Sequence, residues 1–204
     1  MRIRIFPLGR IEANCYLVWN EKNSEALIID PGGFSAAVEK EIADNGLKLK
    51  YILLTHGHFD HVEGIESFTD AYPDAKLAAG EKIGLLLDSP KPEIELKDGD
   101  TVSLGDLSLL VIKTPGHSEC GVCFYTEESD PTLTEQSFSG TVFTGDTLFQ
   151  LSVGRTDLMG GNFNLLKDSI KTRLLTLPDD TLVLPGHMGP TMILDEKLYN
   201  PFVK

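Results

Sequence analysis

The chain alternates short apolar runs with stretches of helical periodicity, a pattern typical of mixed α/β proteins. In the first thirty residues, β-branched and apolar positions form three runs separated by glycine and polar residues. Apolar residues then recur at helical spacing, and Gly46 supplies a stop signal. The predicted strands are 2–7, 13–19, 25–30, 51–54, 76–79, 107–114, 123–125, 142–144 and 181–184, and the predicted helices are 34–45, 64–70, 80–87 and 164–176.

Strands that meander in groups, with helices inserted between them, predict α/β or α+β layers. The sequence contains no internal repeat and no linker long enough to mark a boundary, so we expect a single domain over residues 1–204. The polar segment 127–140 separates two predicted strands, and we interpret it as a solvated loop insertion.

Charge and composition exclude several classes of function. The 204 residues include 31 Asp and Glu against 18 Lys and Arg, a net charge of −13, and such a field disfavours nucleic-acid binding. We find no apolar run of membrane-spanning length and no secretory leader, and therefore expect no membrane partner. Three cysteines indicate reduced thiols in a cytoplasmic protein. Cys120 and Cys123 form a C-x-x-C pair without the second pair of a zinc site, and they lie where a strand should begin, so we interpret them as structural.

All five histidines follow apolar strand runs. Three of them lie in the segment 56–61, which also contains an aspartate, and the other two, His117 and His187, each follow a Pro-Gly pair. Asp146 comes directly after another predicted strand. Because strand ends hold side chains on a rigid sheet, these segments can deliver imidazoles and carboxylates to one edge.

Imidazole and carboxylate are the ligands that zinc and similar divalent metals prefer. Isolated histidines are more often helix caps or surface residues, but three of them within six residues beside an aspartate favour a metal site. The spacing of His56 and His58 suits an extended chain, whereas His58 and His61 are spaced as on a helical turn. The segment can therefore serve two neighbouring metals.

These motifs resemble the metallo-β-lactamase superfamily, whose HxHxDH signature is followed by a distant His, Asp and His. The matching residues here are His56, His58, Asp60, His61, His117, Asp146 and His187. Further likeness lies in 14–18, in the Asp-Pro-Gly turn at 30–32 and in 144–149. The run Gly-Arg-Thr-Asp-Leu at 154–158 and the closing Asn-Pro-Phe at 200–202 are similar to short glyoxalase II-like members.

The resemblance implies a four-layer αββα sandwich with a two-metal site at one edge. It assigns His56, His58 and His117 to the first metal, Asp60, His61 and His187 to the second, and Asp146 to both. We expect two Zn²⁺ per chain, with Fe or Mn possible in place of zinc. Asp60 and Asp146 are the predicted catalytic residues, because such a site supplies a nucleophilic water and Asp60 can move its proton.

Three further residues have predicted roles. By resemblance, Arg155 occupies the position of a basic residue that binds the substrate carboxylate, and a salt bridge to Asp157 is the alternative. Where glyoxalase II commonly has an aromatic residue, this chain has Asp157. Asp30 and Thr55 are candidates for holding the second ring nitrogen of the metal-binding histidines.

The leading hypothesis is a binuclear zinc hydrolase, a glyoxalase II-like thioesterase that cleaves S-lactoylglutathione or related small thioesters and esters. A mono-iron persulfide dioxygenase looks similar and shares the Gly-Arg-Thr-Asp run. The third reading is a non-catalytic metal-binding module, which the seven candidate ligands disfavour because a structural zinc needs only four. The sequence leaves the oligomeric state open.

Overall fold

The computed structural model describes residues 1–87, 90–133 and 138–204. Its first sheet has six strands in the order β1-β2-β3-β4-β5-β6. They span Arg2–Leu8, Ala13–Trp19, Glu25–Ile29, Lys48–Leu54, Lys76–Gly80 and Ile94–Leu96. The β1, β2 and β3 pairings are antiparallel, and those from β3 to β6 are parallel.

The second sheet also has six strands, in the order β14-β13-β10-β9-β8-β7. In chain order, the segments from β7 to β14 are Thr101–Leu104, Leu107–Lys113, Val122–Thr126, Gly140–Gly145, Leu148–Phe149, Ser152–Val153, Thr181–Pro185 and Thr191–Met192. Of these, β11 and β12 form a separate hairpin. The parallel pairing of β10 with β13 sets the ends of these two strands side by side.

The described residues also form five α-helices. They are α1 (Ala36–Asp44), α2 (Phe59–Val62), α3 (Ile65–Ala71), α4 (Phe163–Ser169) and α5 (Ile193–Tyr199). The α1 helix begins at Ser35, whose hydroxyl accepts from the Ala37 amide and satisfies a free donor of the first turn. No helix in the described residues is both long and apolar enough to cross a bilayer.

Three apolar clusters produce the layers. Cys15, Leu17 and Trp19 of β2 face the helices α1 and α3, whereas Tyr16 and Val18 point toward the second sheet. The outer face of the second sheet packs in the same way against α4 and α5. Because successive side chains of a strand point to opposite faces of the sheet, β2 contributes to the cluster under the helices on one face and to the cluster between the sheets on the other. The result is the predicted four-layer αββα sandwich.

One sequence prediction is wrong and a second is incomplete. The helix predicted over 80–87 is a short 3₁₀ turn, Ile83–Leu85, because Lys82 adopts a left-handed φ of +68° at the point where the helix would begin. The segment 127–140 is mostly exposed or half-buried where it is described, as expected of a loop insertion, but it also contacts the core through buried Asp130, which accepts from the Ile3 amide at 2.8 Å. Residues 134–137 of that loop lie outside the described residues.

Helix α5 was not predicted, and the predicted helix over 164–176 starts as α4 and continues as a π-helical turn, Ile170–Leu174. All three cysteines are buried and free. This agrees with the structural role expected for Cys120 and Cys123, of which Cys123 lies within β9.

Candidate metal centre

The predicted ligands all meet at one edge of the paired sheets. The segment after β4 carries the first two histidines of the motif, and α2 carries Asp60 and His61. The turns after β8, β10 and β13 present His117, Asp146 and His187 respectively. Because four separate strands end at this edge, residues more than a hundred positions apart in the chain lie within a few ångströms of one another.

Three imidazoles form the first donor group. His58 Nδ1 lies 2.8 Å from His117 Nε2, which is also 3.3 Å from His56 Nε2. His56 and His117 are buried, whereas His58 is partly exposed. Three ring nitrogens that converge in this way can present their lone pairs to one cation.

A second donor group lies beside the first. Asp60 Oδ2 is 3.1 Å from His187 Nε2 and 3.4 Å from His61 Nε2. The three atoms form a compact set of two nitrogens and one carboxylate oxygen. A third set of converging donor atoms, Asp30, His56 and His61, overlaps these two.

Asp146 lies between the two groups. Its Oδ1 is 3.3 Å from His61 Nε2 and its Oδ2 is 3.6 Å from His117 Nε2, so each carboxylate oxygen faces a different group. Among the described residues, His61 Nε2 and Asp146 Oδ1 are buried without a hydrogen-bond partner. Because buried polar atoms are rarely left unpaired, these two orphaned atoms fit a donor set for a divalent metal.

The predicted supporting residues hold the outer faces of these rings. Asp30 accepts from the Thr55 amide at 2.7 Å and from the Thr55 hydroxyl at 2.6 Å, and His61 Nδ1 lies 3.0 Å from Asp30 Oδ2. Thr55 Oγ1 is 3.0 Å from His56 Nδ1. Bonds at Nδ1 fix the ring orientation and leave Nε2 free to serve as a metal ligand.

Burial and neighbouring charges set the protonation of the site. Burial lowers the pKa of His56 and of His117, and together with nearby His117 it lowers the pKa of His58 to about 4. Burial opposes charge on His61 as well, but the carboxylates of Asp146 and Asp30 raise its pKa well above 6.5. The first donor group therefore carries neutral imidazoles at pH 7, the form that binds metal.

The two carboxylates stay ionised. Burial alone would raise the pKa of Asp60, but hydrogen bonds from His187 and His61 outweigh it and hold that pKa well below the usual value. Burial opposes ionisation of Asp146 as well, but the neighbouring His61, His117 and His187 together outweigh it and lower the pKa of Asp146. Both aspartates can therefore offer a negatively charged oxygen at neutral pH.

The donor groups open into a surface cleft of about 400 Å³. His58, Asp60, His117, Asp146 and His187 line its floor. Apolar side chains and Arg155 form the walls. A cleft of this size suits a small molecule.

Arg155 reaches this cleft, but its guanidinium is already paired. Its Nε and Nη2 each donate to a carboxylate oxygen of Asp157 at 2.7 Å. The alternative considered for Arg155, a salt bridge to Asp157, is thus present in the structure. The backbone carbonyl oxygen of Arg155 has a different contact: it lies 2.7 Å from His117 Nδ1 and orients that ring.

Sequence reasoning gave no role to two residues of β2 that hold the His187 turn. Tyr16 donates its hydroxyl to the Pro185 carbonyl at 2.5 Å, and the Asn14 side chain donates to the carbonyls of Pro185 and Met188. The Asn14 amide also donates to Gly186 O at 2.7 Å. The family-like run at 14–18 was the available signal, but only the fold shows which turn it contacts.

Only glycine fits at position 186, next to the two donor groups. A Cβ at this position would lie 2.5 Å from Asp146 Oδ1 and 2.7 Å from His61 Cε1. The Pro-Gly-His sequence thus brings the chain close enough to place His187 without filling the space between the donor groups.

Comparison with known proteins identifies relatives across the whole chain. A Bacillus subtilis protein named probable metallo-hydrolase YqgX is 36% identical over 218 residues, covering 100% of this chain and 98% of its own length. The Haemophilus influenzae protein named hydroxyacylglutathione hydrolase GloC is 33% identical over 219 residues, with 100% and 98% coverage.

Solved structures also resemble the chain over nearly its whole length. The BLEG-1 B3 metallo-beta-lactamase superposes with a TM-score of 0.83 at 33% identity, covering 100% of both chains. ETHE1 from Myxococcus xanthus superposes with a TM-score of 0.81 at 28% sequence identity, covering 98% of this chain and 84% of its own. TTHA1623, crystallised in a di-iron-bound form, superposes with a TM-score of 0.77 at 33% sequence identity, covering 98% of this chain and 99% of its own.

A family model described as the metallo-beta-lactamase superfamily matches residues 8–187, a span that includes every residue of the two donor groups. The sequence motif, the sandwich and the relatives all agree with this match. The chain belongs to the metallo-β-lactamase superfamily and is related to its metal-dependent hydrolases.

Proposed function

We propose that the chain is a binuclear metal hydrolase of small thioesters or esters, with S-lactoylglutathione as the first substrate to test. The observation that carries the proposal is the position of Asp146, whose two oxygens face two separate donor groups. The orphaned Asp146 Oδ1 and His61 Nε2 supply the buried, unpaired donors that such a site needs.

Each donor group would hold one divalent ion. His56, His58 and His117 would hold the first, and Asp60, His61 and His187 the second, with Asp146 contacting both. Zinc is the proposed metal because imidazole and carboxylate suit it, and iron or manganese can use the same donors.

Metals bound in such a site supply a nucleophilic water at neutral pH and polarise the scissile carbonyl. The residues of this chain position and protonate the reactants. Asp60 Oδ2, ionised at the floor of the cleft, would take a proton from the attacking water and return it to the leaving thiolate. The products of a thioester are then a carboxylic acid and a thiol.

The names of the relatives support this reaction class. The Haemophilus influenzae relative is named a hydroxyacylglutathione hydrolase, and it aligns over the full length of this chain. Arg155 would contact a substrate carboxylate in competition with Asp157, which already accepts from its Nε and Nη2.

A mono-iron dioxygenase is the second candidate, favoured by the likeness to ETHE1 from Myxococcus xanthus. A single metal would leave Asp60, His61 and one side of Asp146 unused, although His61 Nε2 lies 3.4 Å from Asp60 Oδ2 and 3.3 Å from Asp146 Oδ1. A non-catalytic module is less favourable still, because a structural zinc needs four closed ligands, whereas this site has seven donors, five of which line an open cleft.

Elemental analysis combined with a hydrolysis assay tests the proposal. We expect two divalent metals per chain and hydrolysis of S-lactoylglutathione that chelation abolishes and added zinc restores. One iron per chain with no thioester or ester turnover would contradict the proposal and favour the dioxygenase.

A further inference from the structure

Four large hydrophobic side chains stand exposed around the cleft. Ile11, Phe59, Leu158 and Met188 line it and are 52%, 60%, 41% and 59% exposed. They come from four separate segments of the chain, so their convergence is not a consequence of local sequence. Apolar surface grouped in this way at a cleft marks an area that a ligand covers. We call these four residues the apolar rim.

The charged side chains of the cleft also favour an uncharged ligand. Besides histidines, the ionisable side chains that line it in the described residues are Asp60, Asp146 and Arg155. Asp60 and Asp146 belong to the proposed metal centre. Arg155 is therefore the one permanent cation available to a substrate carboxylate in this part of the structure, and the net charge of −13 opposes anions in general.

Asp157 already occupies one bidentate edge of the Arg155 guanidinium. The two bonds of 2.7 Å use the Nε and Nη2 edge and place a negative charge beside it. An incoming carboxylate must therefore either replace Asp157 at that edge or bind the remaining Nη1 and Nη2 donors next to the Asp157 charge. Either course yields little net binding, whereas an apolar group gains from covering the rim.

We propose that the cleft selects thioesters and esters that present an uncharged, apolar group to the apolar rim, and that Asp157 sets this preference by weakening the affinity of Arg155 for a second carboxylate. The inference rests on the proposed hydrolase function and names its substrate class. In the reaction, water adds to the acyl carbon, the C–S or C–O bond breaks, and a carboxylic acid and a thiol or alcohol are released.

The expected effect is moderate because the ion pair is accessible to solvent. The side chains of Arg155 and Asp157 are 62% and 68% exposed, and exposed pairs contribute little to stability. Asp157 can therefore be removed without endangering the fold. Its removal should change selectivity several-fold rather than by orders of magnitude.

Two non-hydrolysable thioether analogues of equal length, one ending in a methyl group and one in a carboxylate, test the proposal by calorimetry on the metal-loaded protein. We expect the wild type to bind the carboxylate analogue about five-fold or more weakly than the methyl analogue. In Asp157→Asn this ratio should fall about 2- to 5-fold, because the Asp157 carboxylate no longer competes for Arg155.

Two variants control for the change in net charge and for the requirement for Arg155. Asp98→Asn breaks another exposed pair, with Arg173 Nη2 at 2.7 Å, and makes the same change in net charge outside the cleft lining. Its ratio should equal that of the wild type. The double variant Asp157→Asn with Arg155→Gln should lose the gain seen in Asp157→Asn.

The apolar rim is tested separately. Ile11→Ser should weaken the methyl analogue several-fold and leave the carboxylate analogue less affected. Leu198→Ser, which changes an exposed leucine outside the cleft lining, should alter neither. Equal loss for both analogues in Ile11→Ser would contradict a contact with the apolar group.

A wild-type preference for the carboxylate analogue, or equal ratios in Asp157→Asn and Asp98→Asn, would overturn the inference. Turnover of butyryl and succinyl thioesters of the same neutral thiol distinguishes failure of this inference from failure of the proposed function. Hydrolysis of neither thioester, together with no hydrolysis of S-lactoylglutathione, would overturn the proposed function, while the analogue affinities would still decide which group the cleft prefers.

Discussion

Thr55 donates its hydroxyl proton to Asp30 Oδ2 over 2.6 Å, and the same hydroxyl oxygen lies 3.0 Å from His56 Nδ1. Because the hydroxyl has one proton, its oxygen accepts from the histidine ring. Asp30 Oδ2 also faces His61 Nδ1 at 3.0 Å. One buried carboxylate therefore orients two imidazoles that belong to different donor groups, directly for His61 and through Thr55 for His56.

This arrangement predicts the effect of removing the hydroxyl. Thr55→Val keeps the shape of the side chain but leaves His56 Nδ1 without its acceptor, so metal affinity should fall about 10- to 100-fold. Thr55→Ser keeps the hydroxyl and is the matched control. Competition with a chromophoric chelator measures both variants, and equal affinities would contradict the proposed positioning role.

Asp146→Asn should reduce the metal content from two ions per chain to one or none. The substitution removes the charge that faces both donor groups and puts an amide N–H where a lone pair is needed. Asp195→Asn, on α5, is the control for a lost carboxylate. Elemental analysis after gel filtration gives the stoichiometry, and two retained metals with normal turnover would exclude the bridging role.

Removing the metals should make stability depend on pH. In the folded chain, burial lowers the pKa of His56 and His117, and lowers that of His58 to about 4, whereas unfolded histidine titrates near 6.5. The unfolded state therefore binds more protons as the pH falls. The metal-free protein should lose stability between about pH 6.5 and 4.

The other titrating groups act outside this window. The pKa of His61 is raised, so its contribution is complete below 6.5, and the lowered pKa values of Asp60 and Asp146 matter below about 3.8. Urea midpoints in chelator at pH 8, 7, 6 and 5 test the prediction against the metal-loaded protein. A flat series for the metal-free protein would contradict it.

Much of this centre could be predicted because its chemistry lies in residue types that follow strands. The strands before Asp146 and His187 are short apolar runs, and their parallel pairing brings the two residues together. The pattern also predicted Asp30 and Thr55 as partners of the imidazoles, and the structure shows both contacts.

The remaining features depend on packing that a linear pattern does not contain. The acceptor for His117 Nδ1 is the backbone carbonyl of Arg155, a group that every residue possesses. Lys82 takes a left-handed φ within a segment whose apolar spacing suits a helix. Nothing in the polar segment 127–140 showed that Asp130 would be buried against β1.

The thiols should be inert in the native protein. Cys15, Cys120 and Cys123 are buried, and burial raises the pKa of Cys123 to about 11, so about one molecule in a thousand carries that thiolate at pH 8. A chromogenic disulfide reagent should label none of the three quickly in buffer and all three in denaturant. Rapid native labelling, or a disulfide between Cys120 and Cys123, would instead indicate a redox motif.

The last prediction concerns Glu196, a fully buried carboxylate on α5 that faces no cation in the described residues. It accepts from the Leu151 amide with both oxygens at 3.1 Å, and from Thr191 Oγ1 and Asn200 Nδ2 at 2.7 Å each. Leu151 has a φ of +54° in the turn of the β11–β12 hairpin, which supplies a wall of the cleft. The carboxylate therefore stabilises a strained turn beside the metal centre.

Glu196→Ala should remove the acceptor of the Leu151 amide, of Thr191 Oγ1 and of one Asn200 Nδ2 proton. The loss should destabilise the chain by about 2–4 kcal/mol, which lowers Tm by roughly 5–15 °C. Asp195→Asn on the same helix should change Tm little. Hydrogen exchange separates a local effect from a global one: the Leu151 amide should lose protection by a larger factor than amides of β10 and β13. Equal loss of protection everywhere would mean that Glu196 supports the fold as a whole, and that the hairpin holds its turn without this carboxylate.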